Sequence, residues 1–433
     1  MTTWSKRGLS ALALAAGATL VLTGCLGGAS GGGASGEETT GTDAEGPLTI
    51  QSRLTAGEAE GLQAVVDAFN EKGLGEVEIN EVPANTYREQ LPTYLTAANP
   101  ADIFTWLAGE ATRTFADEGL VLDISDIWED FTFSDAFREL SQDSDGNEVF
   151  VPTSNYWWGV YYDTRVFDEL GLQEPTTWEE FLAVCEAMES AGITPIGLGL
   201  SDTAWMASAW FDYLNMRVNG PEFHLDLLAG EESFDSPEVQ QVFEYWDEIL
   251  PYFDTNAGGL PFQQATTDWI QGRTGMYLAG AWIEFNLPQD ELEYFDFFKF
   301  PEIDPGVSDG EEAPTDGFFA SARTDQPQLA KEFLSYLASA EAQEIMFEAV
   351  GSATLLPTNP DANVTLSPVA EKGRALLENA DVLTQFFNRD AGDDIQPSAD
   401  QALTKYLAGV EETSVILEQW QVEAQQARDA RAQ

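Results

Sequence analysis

Histidine, cysteine and basic side chains are all scarce in this chain of 433 residues. One histidine, His224, cannot supply a zinc site or a two-histidine iron site. Two cysteines cannot build a disulfide framework. Lys and Arg total 19 against 75 Asp and Glu, a formal charge of −56, and a chain this acidic repels phosphate backbones, which excludes a nucleic-acid binder. The apolar run at residues 8–22 is about fifteen residues long, short of the roughly 20 needed to span a bilayer. What is present is ample for a core. Hydrophobic residues make up 43% and aromatics 12%, so the acid is no sign of disorder. The length suggests two domains, or three.

The N-terminus reads as a targeting segment. Lys6 and Arg7 precede the apolar run, which ends in Leu22-Thr23-Gly24-Cys25. This resembles a bacterial lipobox, in which the cysteine becomes the first mature residue and is thioether-linked to a diacylglycerol. The expectation is a lipoprotein signal peptide over 1–24. A lipidated Cys25 and a flexible tether over 25–46 follow, where Gly, Ala, Ser, Thr and acids dominate. The other cysteine, Cys185, lies in a helical pattern and reads as a buried, inert thiol.

Beyond residue 47 strands and helices alternate. Strands are expected at 47–52, 77–82, 102–106, 148–152, 159–163, 192–199, 275–282, 296–300 and 315–320. Helices are expected at 59–71, 86–98, a start at Thr177 capped against Glu180, much of 205–250, and most of the chain after 328. Asp145-Gly146-Asn147 reads as a hairpin turn, since its glycine and missing closing glutamate do not suit a calcium loop. Strand-helix-strand units imply parallel pairing and an α/β layer architecture.

Several stretches carry a family likeness. They are 57–70, 100–104 (Pro-Ala-Asp-Ile-Phe), Ala108-Gly109, 115–120, 151–155 (Val-Pro-Thr-Ser-Asn), 161–172, 175–181, 192–196, 272–276, 280–282 and 330–337. In this order they resemble the family 1 extracellular solute-binding proteins, the carbohydrate receptors of ABC importers. The resemblance spans nearly the whole mature chain. It implies a two-lobe periplasmic-binding-protein-like fold of type II, with a ligand cleft between lobes joined by crossing hinge segments. By analogy one lobe takes 47–157 and 281–321, and the other 158–280 and 322–433. It also implies a sugar ligand, an ABC permease as partner and no cofactor or metal. The expected chain is a monomer, held by its lipid on the outer face of the cytoplasmic membrane of a Gram-positive bacterium.

A sugar offers hydroxyls and an apolar ring face, so its site calls for flat aromatic platforms and carboxylate, amide or guanidinium partners. Trp178, Trp246, Trp128, Trp269 and Trp420 read as core. Trp106, Trp157, Trp205 and Trp282 lie at strand ends or in loops, where open α/β sheets place ligands, and the matching family positions stack on sugar. Trp158 and Trp210 rank behind them. For polar contacts the expectation is Glu58, Asn155, Tyr156 and Asp316, with Arg389 added because its segment resembles one that reaches the cleft in relatives. Two other readings compete: a non-sugar solute such as a polyamine or peptide, and a glycoside hydrolase. The hydrolase would need two carboxylates about 5–5.5 Å or 6.5–9.5 Å apart across a scissile bond, and no such pair stands out.

Overall fold

The computed structural model describes residues 46–350 and 355–431. The expected signal peptide, Cys25 and the expected tether up to residue 45 lie outside the described residues. The strands are β1 (Leu48–Ser52), β2 (Val77–Glu81), β3 (Ile103–Leu107), β4 (Val151–Asn155), β5 (Trp158–Asp163), β6 (Thr194–Ile196), β7 (Thr274–Gly280), β8 (Phe295–Phe298), β9 (Gly310–Glu312), β10 (Thr315–Ala320), β11 (Leu356–Pro357) and β12 (Val382–Thr384). Three helices that shape the site are α1 (Ala56–Glu71), α2 (Ala84–Leu95) and α3 (Glu110–Asp117).

Two sheets organise the chain. One is six-stranded, in the order β11-β4-β10-β3-β1-β2, and the other four-stranded, in the order β6-β7-β5-β8. In the first, β1 pairs parallel with β2 and β3, as the strand-helix-strand rhythm requires, and β10 runs antiparallel between β3 and β4. β3 is buried along its whole length, which is why it reads as a continuous apolar run rather than an alternation. A parallel ribbon of β9 and β12 lies apart from both sheets.

Helices cover the sheets through apolar stripes. Leu62, Val65, Val66 and Phe69 of α1 fall at helical spacing and are buried, with Phe69 edge-on to Phe333 at 5.0 Å between ring centres. The helix Trp178–Ser190 opens with the expected reciprocal cap: Thr177 Oγ1 accepts from the Glu180 amide, and Glu180 Oε2 accepts from the Thr177 amide. The 145–147 turn is closed by Asp143, whose Oδ1 accepts from the Asp145 and Asn147 amides at 3.0 and 2.8 Å.

Sheet membership departs from the expected lobe boundaries in two places. β8 was expected with the first lobe, yet it pairs antiparallel with β5 in the four-stranded sheet. Helices Pro327–Ala338 and Ala340–Ala349, and β11, were expected with the second. Phe333, Leu334, Leu337 and Met346 instead share a core with α1 and β1, and β11 pairs with β4. The chain crosses between the sheets at 155–158, at 312–315 and after β11.

The crossings are clamped by amide side chains. Asn155 Nδ2 donates to the carbonyls of Ala313 (2.8 Å) and Pro314 (3.3 Å). Gln385 accepts from the Thr315 amide at 2.9 Å and donates to the Ala313 carbonyl at 2.7 Å. Backbone groups that would otherwise be orphaned between two sheets are thereby satisfied.

Candidate functional site

A cleft of about 370 Å³ opens between the two sheets, within the size range of small-molecule sites. Its floor and walls come from strand ends. Arg53 follows β1, Glu58 sits in the first turn of α1, Tyr156 lies in the first crossing, Trp282 follows β7 and Asp316 opens β10. The short helix Phe387–Ala391 adds Asn388 and Arg389. Its start is fixed from below, where the buried Asp212 accepts from the Phe387 amide at 3.0 Å.

One wall is charged. Asp316 is held on both sides: Arg53 Nη2 donates to its Oδ2 at 2.9 Å, and Arg389 Nη1 lies 2.7 Å from its Oδ1. Arg389 also donates to the Thr315 carbonyl and to the Tyr156 hydroxyl, each at 2.7 Å. Glu58 stands beside this group. Burial pushes its carboxyl up to about 7; Arg53 and Arg389 oppose the rise and Asp316 adds to it.

The facing wall is aromatic. Trp158 stacks on Phe386 at 5.2 Å, and Trp205 and Trp282 stand edge-on to Trp158 at 6.5 and 6.1 Å. Trp205 and Trp282 are half-buried, with ring surface left open to the cleft. Several buried polar atoms of lining residues have no hydrogen-bond partner among the described residues: Trp158 Nε1, Arg53 Nε, Arg389 Nε and Asn388 Oδ1. Buried polar groups are nearly always paired, so this set marks where a polar ligand can bond. Platforms on one side and donors on the other suit a ligand with an apolar face and a rim of hydroxyls.

Of the expected site residues, Glu58, Tyr156, Trp205, Trp282, Asp316 and Arg389 line this cleft. Trp106, Asn155 and Trp157 do not. Trp106 is buried in the first sheet's core, donating to the Ala111 carbonyl at 3.0 Å. Asn155 is spent on the second crossing. Trp157 is fully buried against Phe297 and Gly373, where its ring fills the place of a Cβ. Its neighbour Trp158 takes the cleft position instead, because successive side chains of a strand point to opposite faces. Trp210 is likewise core. Arg53, Arg88, Asp202, Phe262, Phe386 and Asn388 line the cleft without having been expected there.

Comparison with known proteins agrees with this geometry. The family of bacterial extracellular solute-binding proteins matches over residues 55–344, well over half of the chain. The chain belongs to that family. An uncharacterized ABC transporter extracellular-binding protein of Pyrococcus horikoshii is 25% identical over 356 residues, 79% of this chain and 78% of that protein. The osmoprotective compounds-binding protein GgtB of Synechocystis is 23% identical over 396 residues, 85% of this chain and 90% of its own. Among solved structures, the bacterial solute receptor AcbH superposes with a TM-score of 0.84 at 28% identity, covering 90% of this chain and 100% of its own. AcbH is described as having an exclusive preference for β-D-galactopyranose. This family comprises solute-binding proteins that work outside the cytoplasm with ABC transporters, and its two-lobe architecture is the one seen here.

Proposed function

We propose that this protein captures an extracellular sugar or short oligosaccharide between its two lobes and delivers it to the permease of an ABC importer. The carrying observation is the cleft itself, where Trp158, Trp205, Trp282 and Phe386 face the Arg53–Asp316–Arg389 group across about 370 Å³. Stacking supplies affinity without regard to hydroxyl pattern, and the ion-paired wall reads that pattern, since an analogue that leaves a buried charge unpaired is rejected. Glu58, Tyr156, Trp158, Trp205, Trp282, Asp316, Asn388 and Arg389 are the proposed contacts. The sugar preference of AcbH supports the carbohydrate reading.

The role is binding, not catalysis, and it is exercised at the outer face of the cytoplasmic membrane, where the lipid on Cys25 holds a monomer. A thermal-shift screen against mono- and oligosaccharides tests the ligand class, because a cognate ligand at a hundred times its Kd adds about 2.7 kcal/mol to folding. A rise with a sugar that is recovered intact is the expected result. A rise only with a polyamine or peptide overturns the carbohydrate reading, and a cleaved sugar overturns the non-enzymatic one.

A further inference from the structure

The two walls of the cleft touch each other directly through α2. Asn85 and Arg88 lie one turn apart in this helix, whose Tyr87, Leu91 and Leu95 are buried against the first sheet. Asn85 Nδ2 donates to the carbonyl of Asp202 at 2.8 Å. Asp202 belongs to the loop after β6 and is tied into the second sheet's lobe by accepting from the Phe262 amide at 2.8 Å. The Arg88 guanidinium sits 5.9 Å from the ring of Trp106 in the first lobe and 5.9 Å from that of Trp205 in the second. It also lies 3.6 Å from Asp393, which Asn388 holds through a 2.7 Å hydrogen bond.

Every one of these contacts joins protein to protein, so closure carries a favourable term that no ligand supplies. A planar cation between two indoles is a contact that lysine reproduces poorly, because only the guanidinium presents a flat face to each ring. The Asn85 bond ends on a backbone carbonyl and so fixes the position of the 202–205 loop regardless of side-chain identity there.

We propose that Asn85 and Arg88 form a clamp across the cleft that holds the lobes together and sets how long a bound solute stays. This rests on the reading that solute is captured between the lobes. A lobe equilibrium biased by protein contacts raises apparent affinity by raising the closed fraction, and its loss appears mainly in the dissociation rate.

The test has two readouts on the full chain. Small-angle X-ray scattering without added sugar reports lobe separation and needs no knowledge of the ligand. Stopped-flow tryptophan fluorescence with D-galactose as probe reports dissociation. R88A and N85A should each give a larger maximum dimension without sugar, and R88A should release the probe about tenfold faster, with R88K between wild type and R88A. Circular dichroism and the melting curve establish that each variant is folded. Unchanged scattering in both variants overturns the clamp, even if R88A binds the probe more weakly, because Arg88 would then be a ligand contact only. If galactose does not bind at all, the scattering arm still decides the clamp, and the failure falls on the ligand reading instead.

Discussion

Arg389 Nη2 donates to the Tyr156 hydroxyl at 2.7 Å, so one cleft residue reaches the first crossing between the lobes. Its Nη1 donates to the Thr315 carbonyl in the second crossing and lies 2.7 Å from Asp316. A residue proposed here as a solute contact is therefore bonded to both of these crossing segments. Domain closure of this kind concentrates its backbone rotation in a few such residues.

Removing that guanidinium should be felt in fold and function together. Arg389→Ala leaves Asp316 and the Tyr156 hydroxyl short of a buried partner, and breaking a buried ion pair costs about 3 kcal/mol. Urea denaturation should show the loss, and isothermal titration calorimetry should show solute affinity abolished. An Arg389→Ala protein with wild-type stability would mean that water replaces the guanidinium without penalty.

Two tryptophans far apart in exposure separate binding from folding. Trp282→Ala removes a half-buried ring that stands against Trp158 in the cleft, so solute affinity should fall at least tenfold, about 1.4 kcal/mol, with little change in melting temperature. Trp157→Ala opens a cavity beneath Phe297 and Gly373 and should cost about 4 kcal/mol of stability. The reverse pattern would exchange the two assignments.

Most strand positions and the α/β class were legible because each rests on a period or a turn signal. Leu48 and Ile50 alternate with half-exposed neighbours, and α1 carries its stripe at helical spacing. Which of two adjacent tryptophans lines the cleft was not legible. Trp157 and Trp158 differ by one strand position, and the facing of a strand is decided by what packs on it, here Gly373 and Phe297 against Phe386. Arg53 and Arg88 were missed for another reason. A charged side chain reads as a solvated one until its partners, distant in sequence, are known: Asp316 is 263 residues from Arg53, and Asp393 lies on the opposite lobe. The helices over 327–349 were misplaced because nothing local says which sheet a helix will cover.

Buried acids give the protein an unusual pH response. Burial pushes Glu58 and Asp390 up to about 7, Glu284 to about 8 and Asp400 to about 6. Their unfolded values lie near 4, so between that pH and about 8 the folded state binds more protons than the unfolded one. Stability must then fall as pH rises through that window. Glu180, held low by hydrogen bonds from Thr176 and Thr177, opposes this only near and below its ordinary range, and His224, pushed down to about 3 by burial, opposes it below its ordinary value as one group against four. The melting temperature should be higher at pH 5.5 than at pH 8, and Glu58→Gln should flatten part of the slope. A melting temperature that climbs steadily from pH 5.5 to 8 would rule the scheme out.

Salt should stabilise this protein rather than weaken it. With 75 acids against 19 bases, of which only six are lysines, most exposed carboxylates have no cation near them and repel one another in the folded state more than in the expanded chain. Added salt shortens the screening length to about 8 Å at 0.15 M and about 3 Å at 1 M, which removes that repulsion. It also weakens exposed pairs such as Lys72–Glu341 and Arg374–Glu371, but pairs held in water contribute little. Repulsion is the larger effect, so the melting temperature should rise with sodium chloride and do so more steeply at pH 8 than at pH 5.5, where buried acids such as Glu58 hold their protons. A parallel titration with sucrose, which strengthens burial without screening, separates the two effects. If sodium chloride leaves the melting temperature flat while sucrose raises it, the acidic surface is not self-repelling and its charge is already balanced by bound cations.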